Sequence, residues 1–190
     1  MSIRDRADEY FNRSYLTVRD TPIEETRVCY GLFCRSAGRL AGVGEVLDLV
    51  RTSAGPDVTV RGKSDGDAFE PCEVVMTLEG PFGRLVTLET ESLGLLSMSG
   101  AATSMAEIVD AAGDVPVIDM AARHYPPELA ARIGVAAAIG GAAGTSTRAG
   151  FAEAHARFGV GGQRIRVGSA PPREFRLYGT IPHALNAVYD

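Results

Sequence analysis

VPVIDMAARH, residues 115–124, is a short apolar, β-branched run that ends in charge, and it decides how the rest of the chain is read. Val115, Val117, Ile118 and Met120 follow a Gly-Asp turn at Gly113 and Asp114, so the stretch is predicted to be a buried strand. Arg123 and His124 close it, placing a cation at the strand's C-terminal end. In parallel α/β folds that end carries ligands, because loops there vary while the strands hold them in place. A helix is predicted next. Pro126 and Pro127 suit its first turn, Glu128 favours the positive end of its dipole, and Leu129, Ile133 and Ala137 share a face. Gly140 and Gly141 stop it.

Upstream, residues 1–27 are charged and punctuated by aromatics, with a helix expected from about Asp8 to Tyr15 before Pro22. VCYGLFCR, residues 28–35, alternates like a strand with Arg35 emerging at its end. Val43, Val46, Leu47 and Val50 then form a helical stripe, stopped between Ser53 and Pro56. From Val58 to Pro81, VTVRG and EVVMTLEG flank the acidic turn KSDGDAFEP, which reads as a small β subdomain. One amphipathic helix is expected from about Leu85 to Met98, and a second with Met105, Ile108, Val109 and Ala112 on one face.

Downstream, the Gly- and Ala-rich AAIGGAAGTST, residues 137–147, is expected to end a second strand with hydroxyls and backbone N–H groups that suit an anion. Residues 148–177 are rich in Arg, Gly and Pro and read as a short helix followed by an exposed insertion that carries His155. LYGTIPHAL supplies a third strand ending at His183. Strand, helix, strand, helix, strand is a parallel α/β arrangement. The expected fold is therefore α/β: an N-terminal α+β domain (1–112) with a small β-sandwich or barrel-like part, then the first strands of an incomplete parallel α/β barrel (113–190).

The 190 residues are 45% hydrophobic, enough to bury a real core, and the net charge of −5 argues against a nucleic-acid partner. Of the 19 basic residues every one but Lys63 is arginine. That skew is read first as genomic codon bias and second as a preference for bidentate phosphate or carboxylate contacts. Cys29, Cys34 and Cys72 lack paired CxxC spacing and read as core thiols in a reducing cytoplasm, with no disulfide framework, zinc site or other metal ligand set. No apolar run approaches the roughly 20 residues of a membrane span. The N-terminus lacks the apolar centre of a signal peptide, so a cytoplasmic location is expected.

Six stretches, in order, resemble the nicotinate phosphoribosyltransferase family of open α/β-barrel enzymes: DEYF, AGVGEVLDLVR, DGDAFEPCEVVMTLEGPFGRLVTLETESLGLLS, the AARH segment, IGGAAGTST and GTIPHAL. The resemblance implies transfer of a 5-phosphoribosyl group from PRPP to the ring nitrogen of nicotinate, giving nicotinate mononucleotide and pyrophosphate in NAD biosynthesis. It also implies coupled ATP hydrolysis and Mg²⁺. Departure of pyrophosphate leaves oxocarbenium character at the sugar, so positioning and charge stabilisation matter more than a strong base.

Residue by residue, the resemblance places Arg123, with His124 beside it, in the nicotinate and phosphoribosyl pocket. It makes His183 of the GT-x-x-H segment the imidazole that ATP phosphorylates. Tyr10 matches a tyrosine that stacks on the pyridine ring in a partner subunit's site, and Met120 stands where relatives often carry Phe as the other wall. Arg35 matches an arginine given to the neighbouring subunit's ribose phosphate, and Ser146 with Thr147 matches the second strand end facing the ribose. A homodimer with shared active sites is implied. The ordinary readings of these residues are surface charges, a structural histidine and a helix N-cap.

Chains of the family continue past the GT-x-x-H segment through further barrel strands and a glycine-rich PRPP site. A truncated or split form is therefore expected, with little activity alone and with a separate C-terminal half as a partner. A quinolinate- or nicotinamide-type transferase, or a non-catalytic remnant that pairs with a full-length subunit, is the alternative.

Overall fold

The computed structural model describes residues 2–179, and the chain divides into two compact units, Met1–Gly100 and Ala101–Asp190. In the first, a 3₁₀ turn at Ile3–Asp5 is closed by reciprocal Ser2 and Asp5 bonds, and α1 spans Glu9–Val18 with Phe11 and Val18 buried. β1 (Arg27–Phe33) alternates as expected, with Leu32 buried and Val28 and Tyr30 half-buried on one face. β2 (Gly38–Arg39) follows, then α2 (Val43–Ser53). Val43, Val46 and Val50 are buried on α2 as the stripe predicts, but Leu47 is 39% exposed and Leu49 takes its place. A helix turns roughly 100° per residue, which carries residue 47 off the face centred on Val46.

The helix α2 starts where an acidic turn reaches it. Asp65 accepts the N–H groups of Val43 (2.9 Å) and Gly44 (3.3 Å), satisfying orphan donors at the positive end of the dipole. Gly42 precedes it at φ +97°, and a Cβ there would lie 2.3 Å from the Leu95 carbonyl oxygen, so no other residue fits without backbone movement.

β3 (Thr59–Gly62), β4 (Ala68–Phe69) and β5 (Val74–Pro81) complete the sheets: β1, β5 and β3 lie in that order, all antiparallel, while β2 pairs with β4. The expected small β subdomain is thus not separate, because β1 joins it through β5. Val75, Met76 and Leu78 of β5 pack with Val46, Leu85 and Leu88 in one core. The single amphipathic helix expected from Leu85 to Met98 is instead α3 (Phe82–Leu85) and α4 (Glu89–Leu96) around a turn. Leu85, Val86 and Leu88 are all at most 1% exposed, and burial of neighbours on every side suits a tight turn rather than a one-faced helix.

α5 (Met98–Ala112) carries the chain into the second unit. Its predicted face is displaced: Ile108 is 53% exposed, whereas Ala102 and Ala106 are buried. Small residues are needed there, since a Cβ on Gly140 would meet the Ala102 carbonyl and the Met105 side chain at 2.6 Å. β6 is only Ile118–Asp119, shorter than the run 115–120, with Val115 67% and Met120 46% exposed. The helix that follows starts as a 3₁₀ turn at Pro127–Leu129 and continues as α6 (Ala130–Gly140), whose residues 133–140 are all buried. Gly141, at φ +104°, caps α6 by donating to Ala137 and Ala138 carbonyls.

β7 (Gly144–Thr145), α7 (Arg148–Phe158), a β8 (Arg164–Ile165) and β9 (Arg173–Glu174) hairpin, and β10 (Arg176–Leu177) complete the described chain. β10, β7 and β6 form one sheet in that order, and both pairings are parallel, as the strand and helix alternation predicts. Most residues of the stretch after α7 are exposed, as expected of an insertion, but it is anchored by three buried side chains, and His155 lies within α7 rather than in that stretch. Ile165, Val167 and Phe175 are buried, and His155 is half-buried, its Nε2 3.0 Å from the Phe175 carbonyl oxygen and its ring 4.3 Å from that of Phe151. The three cysteines are free and exposed rather than in the core. Among the described residues no helix is long and apolar enough to cross a membrane.

Candidate active site

The parallel sheet of the second unit brings three strand ends to one rim. β6 and β7 pair in the register Ile118 with Gly144 and Asp119 with Thr145, and β10 aligns Leu177 with Thr145. Beyond those ends the main chain stays bonded, Ser146 N–H to the Asp119 carbonyl (2.9 Å) and Tyr178 N–H to the Thr145 carbonyl (2.9 Å). Gly144 permits this closeness, since a Cβ there would sit 2.1 Å from the Arg176 carbonyl oxygen. Met120, a 3₁₀ turn at Ala121–His124, Ser146, Thr147 and Tyr178 therefore share one edge.

Two buried polar side chains fix that edge. Asp119 and Thr145 are 3% and 0% exposed, and the Thr145 hydroxyl donates to Asp119 Oδ2 at 2.8 Å. Asp119 Oδ1 accepts the Ala121 N–H at 2.9 Å, so one carboxylate holds both the turn after β6 and the side chain at the end of β7. A buried polar pair with its partners satisfied specifies one geometry. Neither residue is among those nominated from sequence. The signal available for Asp119 was a lone acid inside an apolar strand; for Thr145 it was the neighbouring hydroxyls.

The nominated residues of this unit fall as follows. Arg123 and His124 are exposed in the 3₁₀ turn and Met120 presents an exposed thioether just before it. The Thr147 hydroxyl is already engaged as the N-cap of α7, accepting the Gly150 N–H at 3.1 Å, which is its ordinary structural role. The half-buried Ser146 carries the hydroxyl left at the end of β7. His183 lies outside the described residues.

Tyr10 and Arg35 belong to the first unit. Tyr10 is 58% exposed on α1, its ring centroid 3.9 Å from that of Phe11. Arg35 lines an open cleft of about 600 Å³ with Tyr30, Phe33, Glu89 and Leu93. Burial first, and the Glu89 charge second, push the Tyr30 phenol above its ordinary range. Glu89 itself is raised, first by burial and then by the Asp8 carboxylate. The folded chain thus holds the Glu89 proton to a higher pH than the unfolded chain, so stability is unaffected below the unfolded value and falls as pH rises through the folded one. Glu89→Gln is expected to raise Tm at neutral pH and leave it unchanged near pH 3, about a unit below a free glutamate's pKa. Equal shifts at both pH values would contradict that cause.

A mixed α/β chain, an antiparallel N-terminal sheet followed by a partial parallel one, is the phosphoribosyltransferase fold over the part that the chain spans. Residues 8–99 match the family described as quinolinate phosphoribosyl transferase, N-terminal domain. The nicotinate-nucleotide pyrophosphorylase from Pyrococcus furiosus is 30% identical and superposes with a TM-score of 0.79 over 98% of this chain and 44% of its own length. NadC from Streptococcus pyogenes is 26% identical with a TM-score of 0.59, covering 74% of this chain and 50% of that one. Human nicotinic acid phosphoribosyltransferase, at 18% identity, shares the fold with a TM-score of 0.75 over 95% of this chain and 40% of that one. No curated protein sequence matches. The chain is thus similar to the quinolinate and nicotinate phosphoribosyltransferase superfamily, and it spans half or less of the length of these relatives.

Proposed function

We propose that the chain supplies the N-terminal domain and the opening strands of a phosphoribosyltransferase of NAD biosynthesis, acting on PRPP and a pyridine carboxylate, with nicotinate as the substrate. The observation that carries this is the shared rim: the Asp119 and Thr145 lock sets the turn bearing Arg123 and His124 beside the end of β7. In this reading the Arg123 fork holds a carboxylate or phosphate, the Met120 thioether covers one face of the flat ring, and His124 donates a further hydrogen bond. Ser146 and the backbone of Thr147 face the ribose. Loss of pyrophosphate builds positive charge at the sugar carbon while the ring nitrogen approaches it, so fixed orientation supplies most of the acceleration. Tyr10 and Arg35 are contributed to the site of a second copy, as stacking and phosphate contacts.

Mg²⁺ does not fit the described residues as a protein-held ion. They contain no group of three or more His, Cys, Asp or Glu side chains able to hold a metal, and both Asp119 oxygens accept protein hydrogen bonds. ATP coupling rests on the family resemblance of the segment around His183 alone. His183→Ala is expected to abolish stimulation by ATP while sparing basal transfer, and unchanged stimulation in a coupled assay would remove it from that role.

Quinolinate is the second reading, favoured by the family match over residues 8–99. A dicarboxylate calls for a further cation, and Arg148 directly after Thr147 is a second one close in sequence to the rim. Product formation tests the proposal. The chain, alone and co-expressed with the part of the Pyrococcus furiosus protein that the match leaves uncovered, is given PRPP with nicotinate, quinolinate or nicotinamide. Mononucleotide from nicotinate without carbon dioxide release is expected. Product with carbon dioxide from quinolinate transfers the proposal to that substrate, and no product from any of the three in either arm leaves a non-catalytic partner chain.

A further inference from the structure

The first unit holds two exposed thiols that sequence spacing gives no reason to pair, Cys34 and Cys72. Cys34 is the first residue past β1 and Cys72 lies in the turn that leads into β5, the strand that pairs with β1. The Cys72 N–H donates to the Cys34 carbonyl oxygen at 2.7 Å, a main-chain bond between the two cysteines themselves. That bond limits the separation of the two Cα atoms to roughly 6.5 Å, because the N–Cα and O···Cα spans add only about 1.5 and 2.4 Å to it, and this lies inside the range of Cα spacings a disulfide bridges.

Both partners are held in place independently of their sulfur atoms. The turn around Cys72 is closed by Glu73 N–H to the Glu70 carbonyl (3.1 Å) and Glu70 N–H to the Glu73 carboxylate (2.9 Å). Lys63 pairs with Glu73 at 2.6 Å and donates to the Ala68 carbonyl at 2.7 Å, tying the same turn to the end of β3. Cys72 has φ +62°, a left-handed conformation that a non-glycine residue adopts only where its surroundings impose it. On the other side, the β1 and β5 ladder is irregular between Leu32 and Phe33, just before Cys34. The third cysteine, Cys29, sits within β1 five positions earlier, opposite Glu79 in the ladder.

We propose that Cys34 and Cys72 form a reversible thiol–disulfide pair that staples the turn bearing Arg35 to the turn before β5. The oxidant is a small-molecule disulfide of the glutathione class. One cysteine thiolate attacks it, forming a mixed disulfide and expelling one small thiol. The second cysteine thiolate attacks the mixed disulfide at the protein sulfur and expels the other small thiol. The chain loses two protons and two electrons, and the oxidant gains them as two thiols. An exposed bridge of this kind is the labile, regulatory sort rather than a structural one.

The test is incubation of the full chain with oxidised glutathione, followed by alkylation of the remaining thiols, intact mass and peptide mapping under non-reducing conditions. The expected product lacks two hydrogens, contains a linked Cys34 and Cys72 peptide, keeps Cys29 alkylatable, and returns to three alkylatable thiols with dithiothreitol. Cys34→Ser and Cys72→Ser should each stop at a mixed disulfide with glutathione, while Cys29→Ser still forms the internal bridge. Glutathione adducts on both Cys34 and Cys72 with no internal link, or a bridge that uses Cys29, would overturn the proposal. The readout is mass, so it stands or falls apart from the catalytic reading.

Discussion

Replacing Arg123 by Ala is expected to lower kcat/KM for the pyridine carboxylate by roughly ten- to a hundredfold, the equivalent of about 1.5–3 kcal/mol for a hydrogen bond to a charged group. Arg123 is exposed in the 3₁₀ turn Ala121–His124, with no ion-pair partner among the described residues, so its removal leaves no buried charge behind and little effect on folding. Arg123→Lys keeps the charge but loses the planar fork, and should fall between the two. The measurement is steady-state transfer with PRPP, alongside Tm for each variant. A variant that keeps full activity, or one whose loss follows a fall in Tm, would take Arg123 out of the site.

The largest effect on stability is expected at the crossing of α6 and α7. Gly134 and Gly150 meet there, and a Cβ on Gly134 would lie 2.3 Å from the Gly150 Cα, a backbone atom that cannot swing aside. Helix propensity alone would favour Ala over Gly by about 1 kcal/mol. The clash decides the sign, and Gly134→Ala is expected to cost about 2–3 kcal/mol, with Gly134→Val costing more. Because α6 and α7 flank β7, the rim should loosen with them. Gly94→Ala is the control: nothing lies within 4 Å of its added Cβ, so it should be neutral or slightly stabilising. Chemical denaturation of the three variants checks this, and a Gly134→Ala chain as stable as the parent would show that the helices part freely.

The alternation of strand and helix was readable because it is local. The proline pair at 126 and 127, the apolar stripe through Ile133 and Ala137, and the glycine stop at Gly141 are each a few residues long, and the structure has them all. What could not be read depends on contacts between distant residues. Asp119 meets Thr145 across 26 positions, and neither pattern nor spacing links them. Val115 was expected inside from its type alone, yet β6 is two residues long and leaves it outside. The cysteines show a different failure. In β1 the inward face is Val28, Tyr30 and Leu32, so Cys29 had to point the other way, and the alternation already said so. The half-burial of His155 is not legible locally, because its partner Phe175 comes 20 residues later, after a hairpin rich in Arg, Gly and Pro.

The central claim is that ligand binds where the ends of β6 and β7 meet. Backbone amide spectra of the isotopically labelled chain, recorded while PRPP and nicotinate are added to millimolar levels, test it most directly, since they register weak binding residue by residue. Shifts concentrated at residues 120–124 and 144–148, and weakened in an Arg123→Ala chain, are the expected result. Shifts confined to other parts of the chain, with those two segments unmoved at saturation, would contradict it.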